Sequence, residues 1–170
     1  MLAAVYDPMI NLILQGSKTM TVGDRTLRYD PATYFVMSIE LPAVGTVHPA
    51  ASGEPYLALS LTLDPTVLST LLTDLPSPTR HDETDAGFSV AATTSALMDA
   101  WLRMLRLMGK PDEIVALAPV YEREILYRVL QGPTAGCCAT SLHRIPSWRA
   151  SVRPFNGFAR TSPSRSEWRR

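Results

Sequence analysis

The hydrophobic pattern of this chain changes its period at Asp64, and that change limits the folds it can adopt. From Leu57 to Leu63 leucine occupies every second position, so the leucines share one face of an extended strand. Directly afterwards Asp64-Pro65 supplies a helix cap and a proline suited to the first helical turn, and apolar residues recur at helical spacing as far as Leu75. Strands come first and helices follow, which predicts an α+β domain.

Residues 3–63 contain further strand segments separated by turns. The segments Ile10–Leu14 and Thr33–Leu41 are rich in β-branched and aromatic residues. We expect tight turns at Gly16 and Gly23, since glycine adopts the positive φ that such turns often require. Several short strands at this spacing predict a barrel or sandwich.

Three prolines lie between these segments, namely Pro42, Pro49 and Pro55. Proline cannot donate a hydrogen bond to a central strand ladder. We therefore expect each of them to separate one strand from the next.

Two helices are predicted after a polar loop at residues 76–87. The first runs from Thr94 to Met108 and ends before Gly109 and Pro111. Its apolar face comprises Leu97, Met98, Trp101, Met104, Leu105 and Met108. The last helix is expected to begin at Pro119 and to stop at Gly132-Pro133.

The composition changes at Gly136. Residues 1–136 hold 9 basic against 15 acidic side chains, whereas residues 137–170 hold 7 arginines against the single acid Glu167. Residues 1–136 are therefore acidic overall and lack the excess of basic side chains that binding to nucleic acid requires. The basic part has no apolar period and is interrupted by three prolines, which predicts a disordered tail.

Ordered short motifs in residues 4–136 resemble the N-terminal domain of AraC-type transcriptional regulators. The segments that carry the resemblance are Val5–Pro8, Leu14–Lys18, Gly23-Asp24, Leu27–Asp30, Leu41-Pro42, Glu54–Leu57, Leu63–Pro65, and Glu122–Arg128 followed by Gly132. The resemblance implies a cupin-like β-barrel followed by packed helices, which serves ligand sensing or dimerisation. In that family two DNA-binding helix-turn-helix motifs follow this domain.

The family pattern stops at Gly136, so we expect a sensing domain at residues 1–136 and a disordered basic tail at residues 137–170. The genetic code suggests a cause. In the frame that takes the last base of one codon with the first two of the next, Cys137-Cys138 forces a leucine, and the rest of the tail permits a family-like helical continuation. We therefore interpret the tail as a frameshift product, which translation of the nucleotide sequence in all frames would test.

The sequence gives little support for a metal site or for an enzymatic active site. Metal-binding cupins gather two or three histidines and a carboxylate, but the strand region holds only His48, with His81 in the polar loop and His143 in the tail. Cys137 and Cys138 have no partner cysteines. We find no nucleophile elbow and no phosphate-binding glycine loop. We expect no metal site, no cofactor and no enzymatic activity.

Candidate ligand-binding residues are instead expected in the barrel interior. Tyr6, Gln15, Tyr34 and Tyr56 combine apolar area with hydrogen-bonding tips, as a small-molecule pocket requires. The alternative is that these four side chains fill the core or close the ends of the barrel.

The expected function is ligand sensing and dimerisation for an AraC-type regulator, without a DNA-binding module of its own. The expected partners are a small-molecule effector and either a second copy or a full-length regulator in a mixed dimer; binding of this chain to DNA is not expected. A stand-alone cupin-like enzyme or small-molecule-binding protein is the alternative. The first residues lack the basic flank and apolar core of a signal peptide, and no apolar run reaches the ~18 residues of a membrane span, so we expect a cytoplasmic protein.

Overall fold

Two four-stranded antiparallel sheets form the first layers of this computed structural model, which describes residues 2–75 and 87–137. Sheet A consists, in spatial order, of β1 (Leu2–Tyr6), β6 (Leu41–His48), β3 (Ser17–Val22) and β4 (Arg25–Tyr29). Sheet B consists of β7 (Leu57–Thr62), β2 (Met9–Gln15), β5 (Thr33–Met37) and β8 (Phe88–Ala92). The turns predicted at Gly16 and Gly23 are confirmed, since these glycines have φ values of 80° and 59° between β2 and β3 and between β3 and β4.

Helices α1 and α2 each begin at a side-chain cap. The carboxylate of Asp64 accepts a hydrogen bond of 2.7 Å from the backbone N–H of Thr66, and α1 runs over Pro65–Asp74. The hydroxyl of Thr94 caps α2 (Ser95–Arg106) in the same way. A short 3-10 turn (Leu107–Gly109) leads into α3 (Pro111–Leu130). The prediction of an α+β fold with packed helices is confirmed.

The two central strands of sheet B, β2 and β5, are buried on both faces along most of their length. Along β2, Ile10 and Leu12 belong to a core shared with the helices, whereas Ile13 belongs to a second core that sheet B shares with sheet A. Because side chains alternate along a strand, Asn11 lies on the same face as Ile13. Sheet B therefore joins the interior between the sheets to the helical layer.

The helical layer covers sheet B with apolar side chains from α2 and α3. Leu97, Ala100 and Trp101 of α2 and Ile125, Leu126, Val129 and Leu130 of α3 are buried in this core. An ion pair between Arg103 of α2 and Glu124 of α3 lies beside it. Both partners are partly exposed, so the pair contributes less to stability than the apolar contacts.

The structure corrects two strand predictions. The Phe88–Ala92 segment, which sequence analysis left unassigned, is β8 and pairs with β5 at the edge of sheet B. Pro42 does not separate strands but lies within β6, opposite Val5. The pairing of β6 with β3 covers only Val44 to His48, so Pro42 has a single neighbouring strand and its missing N–H costs no ladder bond on the other side.

The predicted start of the last helix at Pro119 is wrong. Helix α3 begins at Pro111, and Pro119 lies inside it. A proline in a helix removes the hydrogen bond to the carbonyl four residues earlier, here that of Val115. Val115 is 88% exposed, so water can replace the missing donor.

The chain returns to sheet B at the end of the described residues. The hydroxyl of Ser38 donates to the backbone carbonyl of Cys137 at 2.7 Å, and Cys137, which we had assigned to the tail, is buried in the core beneath the helices. The predicted disordered tail beyond it and most of the predicted polar loop, residues 76–86, lie outside the described residues. In the part that is described, no helix is both long and apolar enough to cross a membrane.

Because burial differs along β2, we expect alanine substitutions at Leu12 and Leu14 to lower the free energy of unfolding by different amounts. Leu12 is fully buried, whereas Leu14, two residues on, is 36% exposed. We expect Leu12→Ala to lower the free energy of unfolding by about 2–5 kcal/mol, because it removes buried apolar contacts and leaves a cavity. The control Leu14→Ala should cost less than about 1 kcal/mol. Urea denaturation measures both, and equal losses would contradict the burial of Leu12 in the core beneath the helices.

Candidate functional site

A group of polar side chains lies in the otherwise apolar interior between the sheets. The phenol of Tyr29 donates to Asn11 Oδ1 at 2.9 Å, and that of Tyr56 approaches the same oxygen at 3.5 Å. Tyr6 packs against the same core and lies close enough to Tyr29 and Tyr56 to act on both electrostatically. We call Tyr6, Asn11, Tyr29 and Tyr56 the phenol cluster.

Asn11 is the centre of the phenol cluster. Its side chain is 6% exposed, and its Nδ2 donates to the backbone carbonyl of Leu59 on β7 at 3.1 Å. A buried amide needs such partners, because an unsatisfied polar group in a core costs about 1–3 kcal/mol. Asn11 therefore fixes the positions of two phenols, that of Tyr29 at the end of β4 and that of Tyr56 just before β7. Sequence analysis missed it, although a lone amide within the apolar run Met9–Leu14 was the available signal.

Burial keeps the phenols of Tyr29 and Tyr56 neutral. It raises the pKa of Tyr29 well above its ordinary value, and the proximity of Tyr56 and Tyr6 raises it further. The pKa of Tyr56 is raised by burial first and by Tyr6 second. The hydroxyls of Tyr29 and Tyr56 therefore remain hydrogen-bond donors at physiological pH.

Lys18 brings a cationic group to the cluster. Its Nζ lies 5.1 Å from the centroid of the Tyr6 ring, within the range of a cation–π interaction. Burial lowers the pKa of Lys18, and within residues 2–75 and 87–137 no carboxylate forms an ion pair with it. The ammonium is therefore partly removed from water without a carboxylate counterion from the described chain. Sequence analysis assigned Lys18 no role at the site.

Gly45 provides the space in which Tyr6 and Lys18 meet. A Cβ at this position would lie 2.6 Å from the Tyr6 hydroxyl and 3.1 Å from Lys18 Cε. A side chain on β6 would therefore displace both groups. The absence of a Cβ at Gly45 allows them to cross the strand.

Two of the predicted ligand-binding residues, Tyr6 and Tyr56, lie in the cluster, and a third, Gln15, supports it. Gln15 Nε2 donates to the backbone carbonyl of Pro55 at 2.7 Å, which holds the segment that precedes Tyr56. A Cβ added at the neighbouring Gly16 would lie 3.4 Å from Tyr56 Cα, so the backbone there also runs close to Tyr56. Gln15 thus positions a cluster residue and does not itself belong to the cluster.

Tyr34, the fourth predicted residue, lies on the opposite face of sheet B. It is 2% exposed in the core beneath the helices, and its hydroxyl is 3.1 Å from the hydroxyl of Thr134. Its expected place in the barrel interior is therefore wrong. Alternation explains this, because its neighbour Phe35 faces the interior and stacks on Tyr29 at a centroid distance of 5.2 Å. Ligand binding by the four residues stays a prediction.

Within the described part of the chain, no three His, Cys, Asp or Glu side chains come together as a metal would require. His48 Nε2 is 3.0 Å from the hydroxyl of Thr19, whereas His81 and His143 lie outside the described residues. The absence of a metal and of a cofactor stays a prediction.

A separate depression of about 380 Å³ lies on sheet A. It is lined by Ala3, Ala4, Val5, Thr21, Gly23, Pro42, Ala43 and Val44. Apolar surface makes up most of it, and none of these side chains carries a charge. A specific ligand site needs convergent polar groups, which the phenol cluster has and the depression lacks.

The Tyr29–Asn11 hydrogen bond predicts a pH-dependent contribution to stability. Tyrosine in the unfolded chain ionises near pH ~10, whereas in the fold Tyr29 resists ionisation, so its stabilising contribution is present below about pH 10 and is lost as the pH rises further. We expect Tyr29→Phe to lower the free energy of unfolding at neutral pH by about 1–2 kcal/mol. The loss of stability above about pH 10 should also become less steep in this variant.

Urea denaturation at a series of pH values measures both effects. Tyr56→Phe is the matched control at neutral pH, because the Tyr56 bond is longer and its side chain is partly exposed, and we expect it to cost less. Parallel pH profiles for the wild type and Tyr29→Phe would contradict the assigned role of Tyr29.

This arrangement of sheets and helices has a counterpart among solved structures. The fold is similar to a crystal structure of apo ToxT K231A from Vibrio cholerae strain SCE256, with a TM-score of 0.55 and 10% sequence identity. That match covers 86% of this chain and 60% of the ToxT chain. No curated protein matches by sequence. The family model of the AraC-type transcriptional regulator N-terminus matches residues 1–137, which include every described residue. The chain therefore belongs to the family of AraC-type transcriptional regulators, whose N-terminal domain it contains.

Proposed function

We propose that this domain senses a small organic anion at the phenol cluster and that it acts as the regulatory part of a transcription regulator in the cytoplasm. The observation that carries the proposal is the Lys18 ammonium, which is partly buried beside the Tyr6 ring and forms no ion pair with a described carboxylate. Membership in the regulator family supports the sensing role.

The chemistry of the cluster favours an aromatic carboxylate. A carboxylate would supply the counterion that Lys18 lacks within the described chain, and a charge-assisted hydrogen bond is about twice as strong as a neutral one. The Tyr6 and Tyr56 rings are partly buried and offer faces and hydroxyls to an aromatic ligand. Electrostatic attraction and aromatic contact would thus act on the same molecule.

Strand β2 connects the proposed site to the helical layer. Asn11 holds the phenols on one face of β2, and its neighbours Ile10 and Leu12 pack with the helices on the other. A ligand that displaces Tyr56 or Tyr6 would therefore act on the strand against which the helices pack. Such a signal requires different affinities for two arrangements of the domain.

The domain is proposed to act by binding and not by catalysis. The groups at the cluster are phenols, an amide and an ammonium, and none of their hydrogen bonds pairs a nucleophile with a general base. An effector, a second copy and a full-length regulator are the proposed partners. Contact with DNA is proposed for the regulator and not for these residues.

The proposal predicts that an aromatic acid stabilises the protein through Lys18. We expect benzoate to raise the melting temperature more than its neutral analogue benzamide, because the amide supplies no counterion. At one hundred times the dissociation constant a ligand adds about 2.7 kcal/mol, which corresponds to a rise of roughly 5–10 °C for a domain of this size. Lys18→Met should remove the difference between benzoate and benzamide. Differential scanning fluorimetry measures it.

The chain offers a matched control, since Lys18 and Lys110 are its two lysines. Lys110 is exposed and pairs with Glu113, so Lys110→Met should leave the response to benzoate unchanged. Equal stabilisation by benzoate and benzamide, or a response that survives Lys18→Met, would contradict the proposed site.

A further inference from the structure

Two nitrogen-bearing side chains on sheet A reach over the same stretch of β3. Arg28 of β4 lies opposite Thr19, yet its Nη2 donates to the hydroxyl of Ser17 at 3.1 Å. His48 of β6 lies opposite Ser17, yet its Nε2 is 3.0 Å from the hydroxyl of Thr19. Each side chain thus crosses diagonally, so the guanidinium and the imidazole both lie above residues 17–19. We call Ser17, Thr19, Arg28 and His48 the outer cluster.

The outer cluster lies on the face of sheet A that points away from the phenol cluster. Successive side chains of a strand point to opposite faces, and Met20 of β3 belongs to the interior core. Lys18 shares the face of Met20, whereas Ser17 and Thr19 point outward. A ligand at the outer cluster would therefore bind independently of one at the phenol cluster.

The outer cluster has hydrogen-bond donors but no negative charge. Arg28 uses one of the five N–H donors of its guanidinium, and Nδ1 of His48 has no partner in the described part of the chain. No described carboxylate forms a salt bridge with either side chain. The nearest acids along the chain are engaged elsewhere, since Asp30 Oδ1 accepts a backbone N–H and Glu54 Oε2 accepts a serine hydroxyl.

This set of donors suits a phosphate group. A guanidinium binds phosphate oxygens in pairs through its planar fork. A phosphate monoester has three acceptor oxygens, which suffice for the fork of Arg28 and for an N–H of His48 together. Ser17 is 6% exposed and holds the guanidinium against the sheet, so the group is positioned before a ligand binds.

The apolar depression on sheet A adjoins the outer cluster. Thr21 lines the depression and lies two residues along β3 from Thr19, on the same face. Because a strand rises about 3.3 Å per residue, the two features are roughly 7 Å apart. The side chains that line the depression are small and uncharged. A phosphate at the outer cluster therefore leaves a small apolar group attached to it within reach of the depression.

We propose that the outer face of sheet A binds a phosphate monoester with a small apolar body. Arg28 and His48 bind the phosphate, and their bonds to Ser17 and Thr19 fix their positions. The apolar body lies in the depression over Thr21. Charge-assisted hydrogen bonds hold the first part of the ligand, and burial of apolar surface adds affinity in the second. This is a second ligand site, separate from the phenol cluster.

Isothermal titration calorimetry of the full 170-residue chain tests the proposal, at constant ionic strength in chloride. Inorganic phosphate and butyl phosphate are the probes. We expect both to bind saturably, and butyl phosphate about tenfold more tightly, because its chain buries apolar surface. Arg28→Gln should weaken both by about tenfold or more, since it removes the charged fork. Val44→Ser, in the depression, should weaken butyl phosphate alone.

Arg106→Gln is the matched control, because Arg106 is exposed on α2 and forms no salt bridge among the described residues. It makes the same change of charge and should leave both affinities unchanged. Arg28→Lys keeps the charge but loses the fork, so it should also weaken binding. His48→Ala covers the case in which the Arg28 variants fold poorly, and we expect it to weaken both probes about fivefold.

The proposal is overturned if neither probe binds saturably, or if Arg28→Gln binds both probes as the wild type does. It is equally overturned if Arg106→Gln loses as much affinity as Arg28→Gln, since attraction of charge alone would then explain the binding. Equal affinities of the wild type for the two probes would refute the role of the depression and identify free phosphate as the ligand.

Discussion

The burial of β2 and β5, the central strands of sheet B, on both faces is the constraint on which the rest of the structure depends. A strand with two buried faces has no solvent-exposed side on which to place a polar residue. Asn11 must therefore find all its partners inside the protein, and it does so with Leu59, Tyr29 and Tyr56. The same strand supplies Ile10 and Leu12 to the core beneath the helices. The backbone of β2 thus carries side chains of both the interior between the sheets and the core beneath the helices.

Strand β2 would transmit a displacement at the phenol cluster to the helices that pack on its other face. Packed cores do not deform continuously, so a displaced phenol at Asn11 has to be accommodated by a shift of β2 or β7. The apolar side chains of α2 and α3 lie on the other face of β2, and the same two helices also carry exposed apolar side chains. An effector that favours one position of β2 would therefore also favour one position of α2 and α3.

Local patterns in the sequence predicted the elements that depend on local chemistry. The cap at Asp64, the turns at Gly16 and Gly23 and the amphipathic α2 are confirmed, because each is determined by neighbouring residues. The predictions are wrong where contacts between residues that are far apart in the sequence determine the structure. Phe88–Ala92 forms a strand through its pairing with β5, which no local pattern announces in five residues.

The candidate site was predictable only in part for the same reason. Tyr6 and Tyr56 were identified by residue type, but the face of the strand on which Tyr34 lies depends on the register of β5 within sheet B. Pro119 continues α3 instead of starting it, because the carbonyl that loses its partner lies at the exposed Val115. Asn11 and Lys18 acquire their importance only from burial, which residue types alone do not reveal.

The central claim is that a ligand at Lys18 acts on the helices through β2, and a benzoate titration followed by NMR tests it most directly. We expect the side-chain amide of Asn11, the backbone amides of Ile10 and Leu12 and the indole of Trp101 in α2 to change together along one saturation curve. The same titration of Lys18→Met should leave all of them unchanged. Shifts confined to Lys18 and Tyr6, with no change at Leu12 or Trp101, would contradict the account.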